Sequence, residues 1–382
     1  MTTTPSLRLL LPLLCLVGTP VLTPNRSWGR DPAAEVTRVA VVLFPGVELL
    51  DAASPAEVFA RARDEQGAPL FDVSWVGSAR TPVESIGRLG LVPPIDVAKN
   101  PAADVLVIPG GAVEAAMDDP HLMKWIAARA GTARLVLSVC NGASILGKLQ
   151  LLDGLDVTTH HDNVALLKFI APAAKCHEDA KFVDSGRIVT AAGISAGIDG
   201  ALHVVWRLKG PEAARRVASY IEYDPFVGFR ADAETLLAPD QRGVVILRGR
   251  VHPAKPWTIV RLVEMIRSDG LGAAVARYPA LLAETTGDDR LMMEEHGLAM
   301  SAAWLLAYGR DPAVAIELMR FTVAAHPDFV KGHVNLARAL LASGDRTAAE
   351  VHCRRALAIA PEDSDAKKLL VECDTKRIAD PE

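Results

Sequence analysis

Between Val36 and about Arg230, short unbroken apolar runs alternate with longer amphipathic stretches. Val36–Phe44 (VTRVAVVLF), Phe71–Val76, Asp104–Pro109 (DVLVIP) and Leu135–Val139 have the length and β-branched content of buried strands. Pro45–Gly46 and Gly110–Gly111 interrupt two of them. Ser54–Asp64, His121–Ala130, Asn163–Ile170, Ser195–Lys209 and Pro211–Tyr223 carry helical periodicity. Val83–Val97, rich in Pro and Gly, holds room only for short strands. Leu155–Thr159 reads as a short strand, and Lys181–Ala192 as a hairpin turning at Asp184–Gly186. Strands alternating with helices predict an α/β domain over 36–230, a flavodoxin-like, doubly wound parallel sheet covered on both faces.

Residues 231–256 lose this pattern and form a linker in which only Gly243–Leu247 looks like a strand. From Trp257 to the end the periodicity is helical throughout, which predicts an all-α domain over 257–382. Within Val330–Asp363, residues Leu336, Ala337, Leu340, Gly344, Asp345, Ala349, Ala356 and Pro361 fall at the spacing of a tetratricopeptide repeat, about 34 residues long. One repeat earlier, Leu306, Asp311, Ala315 and Pro327 stand in the register of Leu340, Asp345, Ala349 and Pro361, so His296–Phe329 reads as a second, degenerate copy. Two repeats bury little surface alone, which predicts that the helical region leans on the first domain or on another chain.

Composition narrows the possibilities. A formal net charge of −5 and the lack of a basic block give no footing for nucleic-acid binding. In residues 1–29, Arg8 is the only charge before an apolar run from Leu9 to Leu22 broken by Pro12, Gly18 and Pro20, as in a secretory signal. That reading predicts an exported, periplasmic or secreted, protein. An uncleaved anchor and a misplaced start, with a cytoplasmic protein, stay open. Beyond Cys15 the cysteines are Cys140, Cys176, Cys353 and Cys373, too sparse for a disulfide framework and without zinc spacing. No metal site and no cofactor is expected.

The candidate chemistry centres on RLVLSVCNGASILGK, residues 134–148. Cys140 stands between the strand Leu135–Val139 and a helix beginning at Ala143, on the sharp turn that exposes a nucleophile at the carboxyl end of a sheet. The helix N-terminus there favours thiolate over thiol. A buried structural cysteine is the alternative. Asp51 follows the first strand and can exchange a proton with the thiol; the competing role is a helix cap ahead of Ser54–Pro55. Gly110 and Gly111 end another strand, and their amides with that of Asn141 can hold a developing anion, unless they form a simple turn. His160, at the end of Leu155–Thr159, can serve as general base, with His161 as its competitor; strand alternation would put the two on opposite faces.

Five segments carry a resemblance: FPGVELLDAASPAEVF, VLVIPGG, SVCNGASILGKLQLLDG, VTTHH and GRIVTAAGISAGIDGALHVV. In this order they resemble the ThiJ/PfpI superfamily of class I glutamine-amidotransferase-like domains, in particular the branch holding isonitrile hydratase and the amidase-like domain that precedes AraC-type DNA-binding helices. The resemblance implies a nucleophilic cysteine at Cys140, an acidic partner at Asp51, a histidine in the region of His160 and a homodimer through the α/β domain. Asn141 stands where isonitrile hydratase has a threonine, and repeats replace the DNA-binding helices after Tyr223. The implied activity is that of a cysteine-dependent hydratase or hydrolase on a small carbon–nitrogen or carbonyl substrate, with isonitrile first and glyoxal-type or deglycating chemistry second. The alternative is a redox or small-molecule sensor that signals to a protein partner through its repeat tail.

Overall fold

A computed structural model describes residues 36–223, 239–248, 258–285 and 287–375. The signal-like segment at 1–29 and most of the linker lie outside them. In chain order the first region contains β1 (Thr37–Val42), α1 (Leu49–Arg61), β2 (Phe71–Gly77), β3 (Val83–Glu84), β4 (Gly90–Leu91), β5 (Ile95–Asp96), β6 (Val105–Ile108), α2 (Val113–Met117), α3 (Pro120–Thr132), β7 (Leu135–Val139) and α4 (Gly142–Lys148). It continues with β8 (Asp156–Val157), α5 (Val164–Ile170), β9 (Lys175–Cys176), β10 (Ala180–Asp184), β11 (Ile188–Ala191), α6 (Ala196–Lys209), α7 (Pro211–Tyr220) and β12 (Val245–Arg248).

The main sheet runs β12-β10-β11-β7-β6-β1-β2-β5. From β11 to β5 every pairing is parallel; β10 is antiparallel to both β11 and β12. The run Gly243–Leu247 therefore extends the first sheet, as its edge strand β12. Strands β6 and β7 are buried at every position, as apolar runs covered on both faces must be. The chain leaves β1 toward β2 on one side and returns to β6 on the other, so β1 and β6 flank a topological switch point. Ligands in such sheets bind beyond the strands' carboxyl ends at this place.

Two expected elements differ. Helix α1 begins at Leu49, ahead of the expected Ser54, and Pro55 is tolerated within its opening turns. The expected strand Leu155–Thr159 shrinks to β8, which pairs with β9 in a separate small sheet. The remainder is held by side chains instead of a ladder: Thr158 N–H donates to Thr190 Oγ1 at 2.8 Å, and Thr159 Oγ1 donates to the Cys140 carbonyl at 2.8 Å.

The second region is helical: α8 (Thr258–Asp269), α9 (Leu271–Glu284), α10 (Gly287–Met293), α11 (Glu295–Tyr308), α12 (Pro312–Ala325), α13 (Val330–Ala342), α14 (Arg346–Ile359) and α15 (Ser364–Thr375). Asp311 and Asp345, 34 positions apart by their numbering, both cap the second helix of a pair: Asp311 accepts from Ala313 N–H at 3.0 Å and Asp345 from Ala348 N–H at 3.1 Å. Ala337, Ala349 and Ala356 are fully buried, which lets the paired helices approach closely.

The helical region docks on the first. Leu166 and Ile170 of α5 belong to its core. Helix α11 bonds to the two helices that follow the candidate site: Trp304 Nε1 donates to Glu114 at 2.5 Å and Tyr308 Oη to Asp118 at 2.9 Å on α2's end. Lys148 Nζ, at the end of α4, donates to the Ala307 carbonyl at 2.6 Å, and Arg310 pairs with Asp153 at 2.7 Å. No helix among the described residues is long and apolar enough to cross a membrane.

Candidate active site

Strand register builds the site. Ile108 lies opposite Ser138, and Ala191 opposite Val139, so the chain segments leaving β6 and β11 flank Cys140 as it leaves β7. Cys140 sits in the left-handed region with φ 58°, which side chains rarely adopt. The surroundings over-determine that conformation. Its N–H is shared between the carbonyls of Ala191 and Ala192 at 3.1 and 2.8 Å, while Thr159 holds its carbonyl. The thiol is 9% exposed, at the rim of the core.

Asp51, in the first turn of α1, reaches the same point and is fully buried. Its Oδ2 accepts the Gly110 N–H at 3.1 Å, whereas Oδ1 has no hydrogen-bond partner among the described residues. Gly110 is required here: a Cβ would come within 2.8 Å of Asp51 Oδ2 and 2.9 Å of Cys140 Cβ. The helix-cap role open in the sequence is not the one Asp51 takes.

Electrostatics follow from this packing. Burial, aided by the nearby charge of Glu48, pushes the Asp51 carboxyl up from 3.8 to about 7 against the opposing Gly110 and Cys140 hydrogen bonds. Burial and the charge of Asp51 push the Cys140 thiol up as well, although the N–H groups of Asn141 and Ile194 face the sulfur. The helix-terminus effect expected to favour thiolate is thus outweighed. Carboxyl and thiol form a coupled pair that takes its first negative charge near neutral pH and a second only with far greater difficulty.

The glycine amides are placed differently from expectation. Gly110 N–H is taken by Asp51, and Gly111 N–H donates to Asn141 Oδ1 at 2.8 Å. Asn141 Nδ2 returns a bond to the Gly111 carbonyl at 2.8 Å. Asn141 therefore staples the two loops through its side chain and turns its backbone N–H to the sulfur. The amides near the reacting atom are those of Asn141 and Ile194.

Ile194 is a residue that sequence reasoning missed. It has φ 38°, a second strained position beside the first, and its signal lay in the segment AAGISAG. His160 packs its ring against the backbone of Gly193, next to Ile194. The expected opposition of His160 and His161 does not occur. The strand ends before them, a 3-10 turn follows, and the two rings lie 4.1 Å apart. His160 Nδ1 accepts the Asp162 N–H at 3.3 Å, and Asp162 lies 2.9 Å from His161 Nδ1. His160, His161 and Asp162 bring one ligand atom each within 4.8 Å, a group able to hold a cation.

Residues 37–206 match the DJ-1/PfpI family, and residues 305–375 match the tetratricopeptide repeat. The isonitrile hydratase of Pseudomonas putida is 35% identical over 192 residues, covering 49% of this chain and 79% of that protein. This chain belongs to the DJ-1/PfpI family. An HTH-type transcriptional regulator, GbdR of Pseudomonas aeruginosa, is 24% identical over 187 residues, covering 49% of this chain and 50% of the regulator. Among solved structures, a ThiJ/PfpI family protein from Pseudomonas syringae aligns with TM-score 0.47 and 25% identity, over 70% of this chain and 99% of that one.

Proposed function

We propose that the protein is a cysteine-dependent hydratase acting on a small isonitrile-like substrate. The observation that carries this reading is the buried Asp51 carboxyl, held by the Gly110 N–H and without a cationic partner among the described residues, beside a thiol on a strained turn. A carboxyl that titrates at about 7 can both take and give a proton at neutral pH. In the proposed sequence Asp51 accepts the thiol proton, and the sulfur forms a bond to the terminal carbon of R–NC. That carbon takes the proton from Asp51, giving a thioimidate, R–N=CH–S–Cys140. Water then adds to the same carbon, the C–S bond breaks, the sulfur regains a proton, and the N-substituted formamide leaves. R–NC and water are consumed and R–NH–CHO is formed, with no redox change. The N–H groups of Asn141 and Ile194 stabilise charge on the sulfur, and His160 orders the water. Family membership and the relative named isonitrile hydratase support the substrate class. The test is formamide production from a panel of small isonitriles by the wild type and by Cys140→Ala; turnover by the variant at the wild-type rate on every active substrate would end this reading.

A second reading is favoured by the docking of α11 on α2 and α4. Here Cys140 is a sensor, oxidised by hydrogen peroxide to sulfinic acid, and the change passes to the repeats, which present a surface for a protein partner. Amide exchange in α11–α14 that is the same before and after peroxide treatment would argue against it. We further propose a homodimer through the α/β domain and export by the N-terminal segment, to be checked by light scattering and by the N-terminal sequence of the secreted or periplasmic protein.

A further inference from the structure

Where the two regions meet, α5, α8 and α11 line an open pocket of about 260 Å³. Its walls are mainly apolar: Leu166 and Phe169 from α5, Ile259 from α8, and Leu305 from α11. Glu114, Asn163 and Ser301 are the polar residues of its lining. Ser301 is 7% exposed, and its hydroxyl has no hydrogen-bond partner among the described residues. Glu114 of α2 also lines the cavity, and its partner across the seam is the neutral indole of Trp304.

We infer that this seam is a binding site for a small molecule with an apolar body and a protonated amine head, separate from the Cys140 site. Ser54, Ser138 and Ser144 also bury unpartnered hydroxyls among the described residues, but Ser301 is the one of these serines in the lining of this cavity, where a ligand can supply the bond. A carboxylate is acceptor-only, and the Ser301 hydroxyl and the Asn163 amide oxygen also accept, so the matching head is a donor. A cation adds charge complementarity with Glu114, and an anion would face it unfavourably. The volume suits one ring with a short chain, at the small end of ligand pockets. Flexible Met300 stands 63% exposed on the rim, where it can adjust to the occupant. Because the walls come from both regions, an occupant would contact the helix after Gly111 and the repeat region together. This inference does not depend on the proposed hydratase chemistry.

Isothermal calorimetry on the full chain tests it with three probes: 2-phenylethylamine, ethylbenzene and phenylacetate. The amine is expected to bind with one-to-one stoichiometry, at least fivefold more tightly than ethylbenzene, with phenylacetate weaker still. Ser301→Ala and Glu114→Gln should each weaken the amine about fivefold or more, the effect of one lost hydrogen bond, and leave ethylbenzene unchanged. Met300→Trp, at an exposed position that tolerates bulk, should weaken all probes at least tenfold. Cys140→Ala should bind the amine as the wild type does. No binding of the amine, equal binding of the amine and either other probe, or indifference to Met300→Trp would each overturn the inference. Loss of amine binding in Cys140→Ala would place the occupant in the other site and overturn it too.

Discussion

Asp51 and Asp156 are both buried carboxyls, 0% and 3% exposed, yet their chemistry diverges. Asp156 is surrounded by donors: His177 Nε2 at 2.6 Å, Arg242 Nη1 at 2.6 Å and Lys175 Nζ at 3.6 Å. Against the upward push of burial, the His177 and Arg242 bonds hold its carboxyl below the usual range. Asp51 has a single backbone N–H and a thiol, and rises to about 7. Burial pushes both carboxyls up, more strongly at Asp51, and at Asp156 the bonds from His177 and Arg242 overcome it. A fold that spares cations for one carboxyl and withholds them from another beside a cysteine marks the second as the reactive one.

The sharpest way to break this comparison is to remove the thiol. Cys140→Ala should abolish isonitrile turnover, by at least a thousandfold, while the melting temperature stays within a few degrees of wild type; differential scanning calorimetry alongside the activity assay checks both. Asp51→Asn should lower kcat by about 10²–10⁴-fold, the range for a lost general acid–base, and flatten the neutral limb of the pH–rate profile.

The same substitution sharpens the contrast through stability. Because burial raises the Asp51 pKa from 3.8 to about 7, folding favours its protonated form. Its contribution is complete below about pH 4 and is lost as pH rises to about 7, by on the order of 4 kcal/mol at most. Urea unfolding at pH 4.5 and pH 8 should show Asp51→Asn more stable than wild type at the higher pH, with the difference falling to about a quarter at the lower. Asp156→Asn should do the reverse: a loss of about 2 kcal/mol at neutral pH, shrinking as acid protonates the wild-type carboxyl, whose contribution is present above its unfolded pKa and is lost as pH falls. The smallest effect is expected at the seam, where Trp304→Phe removes the bond to Glu114 and should cost about 1 kcal/mol without changing Cys140 alkylation.

Much of this was legible in the chain. Apolar runs such as VAVV and LVLSV and the strand–Cys–Asn–Gly–helix order led to the sheet, and the elbow at Cys140 followed. The spacing of Asp311, Asp345, Ala315 and Ala349 exposed the repeats. Asp51 and Gly110 were placed at the site through the rule that strand ends converge. What stayed hidden rests on bonds between side chains and distant backbone, which leave no periodic trace. Thr159 bonds to the Cys140 carbonyl and shortens the expected strand, so His160 and His161 turn together. Asn141 occupies the Gly111 amide that looked available for an anion. Arg242 reaches Asp156 from the far side of the linker boundary, 86 residues away, a pairing that sequence spacing does not signal. Ile194 carries its strain at a non-glycine position, beside Gly193.

The coupled Asp51–Cys140 pair is tested most directly by the pH dependence of Cys140 alkylation by iodoacetamide, with Cys176, Cys353 and Cys373 replaced by Ser. Once the pair has lost one proton, thiolate with protonated Asp51 is one of its two forms, so alkylation should rise with a midpoint near 7, the value at which the pair first ionises. In Asp51→Asn the buried thiol must ionise alone, and the midpoint should move above the ordinary thiol value of about 8.5. The same midpoint in both proteins would contradict the account.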